Sequence, residues 1–259
     1  MAKFDPTLDL DSRQIIECRI DATSYADACD RIQAWAEQQT AGYVIAANVH
    51  VVMSAHWSQA FRQVVNGALL VTADGMPLVW GLRLLGIPEQ SRVYGPDLML
   101  AWCERATLTG LPIYLYGGTA AVLEKVTAAL RSRFPGLAIA GSYAPPFRSL
   151  SPEEMSADAE RIQASGARVV FVSLGCPKQE YWMAEQQSQI PVVLIGVGAA
   201  FSFLSGEVSQ APRWMMRAGL EWLYRFWVEP RRLWQRYLIN NPMFVLLFAW
   251  QYFFPTKTD

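Results

Sequence analysis

The sequence predicts an α/β fold in which a doubly wound, mainly parallel sheet carries a helical appendage at its C-terminal end. Short, continuously apolar runs alternate with helical patterns over residues 1–200, as expected for strands that helices cover on both faces. After residue 200 the composition changes to short segments rich in Trp and Arg. We therefore expect an α/β domain at residues 1–200 and an appendage at residues 201–259.

The predicted elements of the domain alternate between strand and helix. Apolar runs at 13–20 and 42–47 flank a helical stretch at 24–39, which gives a βαβ opening. The remaining predicted strands are 67–74, 111–118, 137–143, 167–175 and 191–198, and the remaining helices are 96–107, 120–134, 152–165 and 178–187. This order is that of a Rossmann-like sheet, in which ligands bind beyond the carboxyl ends of the strands.

Charge is distributed unevenly along the chain. The formal net charge is −1 and the pI is about 6.2, which argues against nucleic acid as the main partner, because phosphate binding needs a concentrated basic surface. Residues 209–236 nevertheless hold six Arg against two Glu, with Trp residues between them. Breaks between short helices of the appendage are predicted at Pro212, Pro230 and Pro242. Such helices would contact anionic headgroups or a diphosphate, or form a dimer interface.

Targeting and cysteine patterns point to the cytoplasm. The four Cys have neither a CxxC motif nor Cys/His ligand spacing, so we interpret them as reduced cytosolic thiols. The N-terminus is charged before any apolar run begins, which excludes a cleavable secretory signal. The longest apolar stretch, 242–254, is about 13 residues long. A spanning helix needs roughly 20, so no transmembrane segment is predicted.

A carboxylate stands directly after one predicted strand. The strand at 67–74 ends in the turn Asp74-Gly75-Met76-Pro77, which places the Asp74 side chain in the expected ligand crevice. A carboxylate there has the position of a general base. The same pattern also suits a residue that caps a helix beginning at Pro77. Spacing alone leaves both interpretations open.

The segment 175–180, GCPKQE, follows another predicted strand and opens a helix. Backbone N–H groups at such a helix start favour an anion, and Lys178 adds a positive charge. The segment lacks the spacing of a Walker loop, so an ordinary strand-to-helix turn at Gly175 is the alternative. Gln179 and Glu180 would either reach ligand hydroxyls or face solvent.

Two further strand ends carry residues compatible with a ligand. Gly117 and Gly118 precede a helix, and adjacent glycines let a ligand approach the backbone closely. Asn48 follows the second predicted strand, where its amide would bind a ligand or simply form a turn. His50 and His56 have no acidic or Cys partner at ligand spacing, so no metal site is predicted.

Several ordered sequence blocks resemble those of the WecG/TagA/CpsF glycosyltransferases. In chain order they are ADGMPLVW, RVYGPDLM, LYGG, FVSLGCPKQEYWM and a C-terminal run that begins GVGAAFSFLSGEVSQ and ends EPRRLWQRY. The resemblance spans residues from about 48 to 237. It implies a hexosyltransferase of exopolysaccharide biosynthesis that uses a UDP-sugar and an undecaprenyl-diphosphate-linked sugar acceptor. The hexose would be N-acetylmannosamine, its uronic acid or glucose.

The resemblance also implies roles for individual residues. Asp74 of the ADG block would be the catalytic base. With the strand-end residues already described, the predicted UDP-sugar site comprises Asn48, Arg92, Asp97, Gly117, Gly118, Gly175, Lys178, Gln179 and Glu180. The acceptor diphosphate or the membrane surface would be bound by Arg225, Arg231, Arg232 and Arg236. Asn48-Val49-His50 and Tyr94 depart from the family pattern, which leaves the donated sugar open.

The implied chemistry is an inverting displacement in which Asp74 takes the proton of the acceptor hydroxyl while UDP departs. Arginines and helix N-termini would stabilise the leaving diphosphate. The one DxD element, Asp9-Leu10-Asp11, lies in the polar N-terminus, so we predict that no metal or other cofactor is needed.

Two functional classes are alternatives to a glycosyltransferase. An NAD-dependent oxidoreductase is disfavoured, because no GxGxxG follows the first strand. A membrane scaffold that binds a nucleotide without turnover is the remaining alternative. For the enzyme we expect a cytoplasmic protein attached peripherally to the inner leaflet of the cytoplasmic membrane, with the oligomeric state open.

Overall fold

The computed structural model describes residues 10–254 without the side chain of Arg232, so part of the DxD element lies outside the described residues. One sheet has the strand order β1-β2-β4-β3-β8-β7-β5-β6, and all pairs except β1 with β2 are parallel. The strands are β1 Ser12–Ile15, β2 Cys18–Asp21, β3 Gly42–Ala47, β4 Leu70–Ala73, β5 Ile113–Gly117, β6 Ile139–Tyr143, β7 Val169–Ser173 and β8 Val193–Gly196. The predicted doubly wound α/β fold is confirmed.

Helices cover both faces of this sheet and continue beyond it. They are α1 Tyr25–Gln38, α2 Val49–Trp57, α3 Gln59–Asn66, α4 Met76–Leu84, α5 Gly95–Thr109, α6 Ala120–Arg133, α7 Pro152–Ala164, α8 Lys178–Gln186, α9 Ala200–Leu204, α10 Arg213–Arg217, α11 Glu221–Val228, α12 Pro230–Leu238 and α13 Asn240–Phe253. One hydrophobic core contains residues of α2, α3, α4, α7, α8 and α13, and the other contains residues of α1, α5, α6 and α9.

The strands are buried on both faces because successive side chains point to opposite cores. In β3, Tyr43 and Ile45 pack into one core and Val44 packs into the other. A continuously apolar strand is therefore the expected sequence of this sheet.

Two segments differ from the predicted elements. The apolar run 13–20 is not one strand but the antiparallel hairpin β1–β2, whose strands are joined at Ile16 and Glu17. The segment after β3, for which the sequence pattern predicts no element, forms α2 and α3. Asn48 caps α2, and Ser58 caps α3 by accepting from Phe61 N.

The C-terminal helices begin near the predicted prolines. Pro212 and Pro230 stand at the starts of α10 and α12. Pro242 lies inside the first turn of α13, where a missing N–H breaks no helical hydrogen bond, so the break falls before Asn240 instead. Phe244 of α13 is buried in the core that contains α2. The last helix therefore packs on the α/β body, and the domain boundary at residue 200 stays a prediction.

Candidate active site

A cavity of about 730 Å³ opens at the carboxyl ends of the central strands. Its wall includes the residues that directly follow five neighbouring strands: Asp74 after β4, Asn48 after β3, Val197 after β8, Leu174 after β7 and Gly118 after β5. The N-termini of α2, α4, α6 and α8 meet the same edge of the sheet. A parallel sheet thus places side chains, backbone N–H groups and helix dipoles around one space.

Asp74 is held by the backbone on both sides. Its amide donates to Ala47 O at 2.8 Å, and its Oδ2 accepts from the Gly95 amide at 3.0 Å, at the start of α5. The cap of α4 is Gly75, with no side-chain hydrogen bond, so the interpretation of Asp74 as the cap of that helix is wrong. The carboxylate instead receives the partial positive charge of the α5 N-terminus.

Burial raises the pKa of Asp74 to about 6, an effect that Glu221 reinforces and that Arg92 and the Gly95 amide oppose. The side chain is only 12% exposed. A carboxyl group with this pKa is mostly ionised at neutral pH and is a stronger base than an exposed aspartate. Asp74 therefore has both the position and the proton affinity of a general base.

Arg92 links Asp74 to the C-terminal helices. Its Nη2 lies 3.3 Å from Asp74 Oδ1 and 2.6 Å from Oε2 of Glu221, which begins α11. Its guanidinium also stacks on Tyr94, at 4.2 Å from the ring centre. The Tyr94 hydroxyl donates to Glu221 Oε1 at 3.2 Å. One cation is thus shared by two carboxylates from distant parts of the chain.

Two arginines of the appendage present buried nitrogens with no partner. Within residues 10–254, neither Arg225 Nε nor Arg236 Nε has a hydrogen bond, and both residues line the cavity. Arg236 Nη2 donates to Asn48 Oδ1 at 3.4 Å, and that oxygen also caps α2 by accepting from His50 N. Burial and the charge of Arg225 lower the pKa of Arg236. Adjacent cations with unused donors suit an anionic ligand.

The start of α8 is polar but turned inward. Gln179 and Glu180 are 4% and 1% exposed, so the alternative that they face solvent is wrong. Gln179 Nε2 donates to Glu180 Oε1 at 2.8 Å and Gln179 Oε1 accepts from Gly198 N at 3.3 Å. Glu180 Oε2 is buried without a hydrogen-bond partner among the described residues, and burial raises the pKa of this carboxyl group. Lys178 is exposed at the rim.

Comparison with known proteins decides the family. Residues 13–258 match the profile of the glycosyl transferase WecG/TagA/CpsF family. The chain belongs to this family. A relative from Bacillus spizizenii is 30% identical over 210 residues, which are 81% of this chain and 79% of the relative. That relative is named N-acetylglucosaminyldiphosphoundecaprenol N-acetyl-beta-D-mannosaminyltransferase. The family membership predicted from the sequence blocks is confirmed.

Most of the residues implied by the WecG/TagA/CpsF resemblance lie around the cavity, and three do not. Asp97 pairs with Arg213 Nη1 at 2.8 Å near the surface. Gly117 is needed for the fold, because a Cβ there would collide with the Ser173 backbone and its φ is +119°. Arg231 is exposed at the start of α12. The predicted role of Arg232 concerns a side chain outside the described residues.

Some WecG/TagA/CpsF site residues were not predicted. The sequence signal for Glu221 is its position as one of two acids in a basic segment. His50, which the family resemblance placed beside the sugar pocket, does line the cavity, and burial and the charge of Arg236 lower its pKa to about 4, which favours a neutral imidazole. Phe147, which is 83% exposed, stands at the rim after β6 without any motif to mark it.

The described part of this WecG/TagA/CpsF chain, residues 10–254, contains no group of three or more His, Cys, Asp or Glu that could hold a metal ion. Over the same residues, no helix combines the length and the apolar character needed to cross a membrane. Large apolar side chains are nevertheless exposed on α11, α12 and α13. They include Trp227, Leu238, Leu246, Trp250 and Phe253.

Proposed function

We propose that this protein is an inverting hexosyltransferase that moves a sugar from a UDP-sugar to an undecaprenyl-diphosphate-linked sugar. The observation that carries the proposal is the cavity in which the buried carboxylate of Asp74 faces the same space as Arg225 and Arg236. The name of the Bacillus relative favours N-acetylmannosamine as the donated sugar and N-acetylglucosamine as the acceptor sugar.

In the proposed reaction, Asp74 accepts the proton of an acceptor hydroxyl while that oxygen attacks C1 of the donor sugar. The bond from C1 to the UDP oxygen breaks, and UDP leaves with the electron pair. One displacement of this kind inverts the configuration at C1. General-base assistance contributes roughly 10²–10⁴ in rate, and a base with a pKa near neutrality is well matched to it.

The charge of the two diphosphates is met by protein groups rather than by a metal ion. Arg225 and Arg236 would bind the acceptor diphosphate, since their buried nitrogens otherwise lack partners. Backbone N–H groups at the starts of α6 and α8 would donate hydrogen bonds to the leaving UDP, and Lys178 at the rim would add a positive charge. Preorganised donors of this kind stabilise charge as it develops.

The donor sugar would lie against the floor made by Asn48, Gln179 and Glu180. Glu180 Oε2 has no partner among the described residues, so a sugar hydroxyl would complete its hydrogen bonding. A sugar lacking the matching hydroxyl would leave this buried oxygen unpaired, which gives the site a means of selection.

A lipid-linked acceptor requires access to a membrane surface. The exposed Trp and Phe side chains of α11 to α13 would enter the headgroup region of the inner leaflet, with Arg231 near the phosphates. This arrangement would attach the protein peripherally and bring the acceptor diphosphate to the cavity.

The proposal is tested by UDP release from the purified protein, in the presence of a metal chelator, with a panel of UDP-sugars and a short-chain polyprenyl-diphosphate-linked N-acetylglucosamine. We expect release only with acceptor present, and fastest with UDP-N-acetylmannosamine. A protein that binds UDP but releases none from any donor would instead be the nucleotide-binding scaffold.

A further inference from the structure

Glu221 brings a carboxylate from the C-terminal helices into the site. Its Oε2 accepts from Arg92 Nη2 at 2.6 Å, and its Oε1 accepts from the Tyr94 hydroxyl at 3.2 Å. The side chain is only 14% exposed, although no residue of α11 is fully buried. Glu221 is therefore the residue through which α11 contacts Arg92 and Tyr94 in the cavity wall.

A second carboxylate beside a general base is costly, because the two negative charges repel each other in a site of low dielectric constant. A residue that only attached α11 to the α/β body would not need to lie beside Asp74. The ion pair between Arg213 and Asp97 already joins α10 to α5 at a more exposed position, with Arg213 63% exposed. The location of Glu221 thus indicates an effect on Arg92 and Asp74.

We propose that Glu221 is a positioning residue that holds Arg92 and takes up part of its charge, so that Asp74 remains an effective base only while α11 is docked. This inference rests on the proposed role of Asp74 in glycosyl transfer. Arg92 would otherwise be free to pair fully with Asp74, which a base must avoid if it is to accept a proton.

The charges around Asp74 predict in which direction its pKa changes when Glu221 is replaced. Glu221 raises the pKa of Asp74, and Arg92 lowers it. The other groups that face Asp74 are the Gly95 amide of α5, Tyr25 of α1, Tyr94 and Arg236 of α12. When the charge of Glu221 is removed, its repulsion no longer offsets the attraction of Arg92, so the pKa of Asp74 should fall.

The test is the pH dependence of kcat for Glu221→Gln, which removes the charge and keeps the size. The rate of the wild type falls as the pH drops through the pKa of Asp74. We expect this acidic limb to move to lower pH in the variant. The plateau kcat should fall by about tenfold, which is less than the loss expected when a general base is removed. KM for the UDP-sugar should stay nearly unchanged. Glu221→Asp keeps the charge, so its plateau kcat and its acidic limb should lie between those of Glu221→Gln and the wild type.

Arg213→Gln is the matched control, since it breaks the other ion pair between appendage and body without touching Arg92. We expect its acidic limb to coincide with that of the wild type. A Glu221→Gln protein with reduced kcat and an unmoved limb would overturn the inference and leave Glu221 an anchor only.

A second measurement does not depend on turnover. The Asp74 carboxyl group, titrated by carbon NMR in the full-length wild type and in Glu221→Gln, should have a lower pKa in the variant, and equal values would overturn the inference. If Glu221→Gln does not fold, the same comparison applies to Glu221→Met, which also removes the charge and keeps a similar side-chain length. If the Asp74 pKa differs between the two proteins in this way but the wild type transfers no sugar, the proposed function is refuted. The effect of Glu221 on Asp74 would still stand.

Discussion

Arg92 Nη2 lies 2.6 Å from Glu221 Oε2 and therefore joins the segment before α5 to the first residue of α11. The same nitrogen lies 3.3 Å from Asp74 Oδ1. A helix that carries exposed Trp side chains is in this way connected through one guanidinium to the candidate base. On the proposed function, contact of the appendage with a membrane would therefore affect the state of the base.

Asp74→Asn should stabilise the fold at neutral pH. The pKa of Asp74 is raised to about 6 in the folded protein, so ionisation favours the unfolded chain once the pH exceeds the unfolded value near 3.8. Removing the charge should increase the free energy of unfolding by about 1–3 kcal/mol at pH 7.5. The gain should vanish at pH 4. Urea unfolding at both pH values measures it, and equal gains would contradict the assigned pKa.

Arg236→Met should weaken binding of the acceptor without unfolding the protein. The buried Nε has no partner among the described residues, Nη2 makes a long hydrogen bond of 3.4 Å to Asn48 Oδ1, and burial disfavours the charge, so loss of the guanidinium should cost little stability. Loss of a hydrogen bond to a diphosphate should raise KM for a water-soluble acceptor by about 10- to 100-fold. Arg217→Gln, an exposed change on α10, serves as the control. An acceptor KM within twofold of the wild type would remove Arg236 from the diphosphate site.

Trp227→Ser combined with Trp250→Ser should release the protein from vesicles that contain anionic lipids. These side chains are 85% and 66% exposed, on α11 and α13. Loss of two interfacial aromatic anchors should reduce sedimentation with vesicles at least several-fold. The matched control is Leu108→Ser, an 81% exposed position on α5. Equal sedimentation of all three proteins would place the membrane contact elsewhere.

Gly117→Ala should act on stability rather than on the ligand. A Cβ at Gly117 would meet the Ser173 backbone, and the residue has a φ of +119°. We expect destabilisation of at least about 2 kcal/mol, beyond the usual effect of a positive φ. Gly110→Ala, with φ of +71° and open space around it, should cost only about 1 kcal/mol. Similar losses in the two variants would refute the proposed packing role.

The sheet and its strand ends were predictable because each signal is local. Continuously apolar runs marked the parallel strands, and the rule that ligands bind at their carboxyl ends pointed to Asp74 and Asn48. The β1–β2 hairpin was missed because its turn, at Ile16 and Glu17, contains no Gly, Pro, Asn or Asp. The helix α2 was missed because it is buried and apolar nearly all round, which hides the helical period.

The remaining part of the site depends on tertiary packing. No local pattern shows that α11 contacts the segment before α5, so the pairing of Glu221 with Arg92 could not be predicted. The same holds for Asp97, whose partner Arg213 is distant in sequence. Gly117 and Gly118 are adjacent and look alike in the sequence. Only the position of β7 shows that Gly117 packs against Ser173 while Gly118 lines the cavity.

The most direct test of the central claim is sugar transfer by Asp74→Asn, measured as labelled product with UDP-N-acetylmannosamine and a short-chain lipid-linked N-acetylglucosamine. Affinity for UDP is measured on the same samples by calorimetry. The account predicts that transfer falls by roughly 10²–10⁴ while UDP affinity stays within a few-fold of the wild type. Transfer at the wild-type rate, with UDP bound normally, would contradict Asp74 as the base and the mechanism built on it.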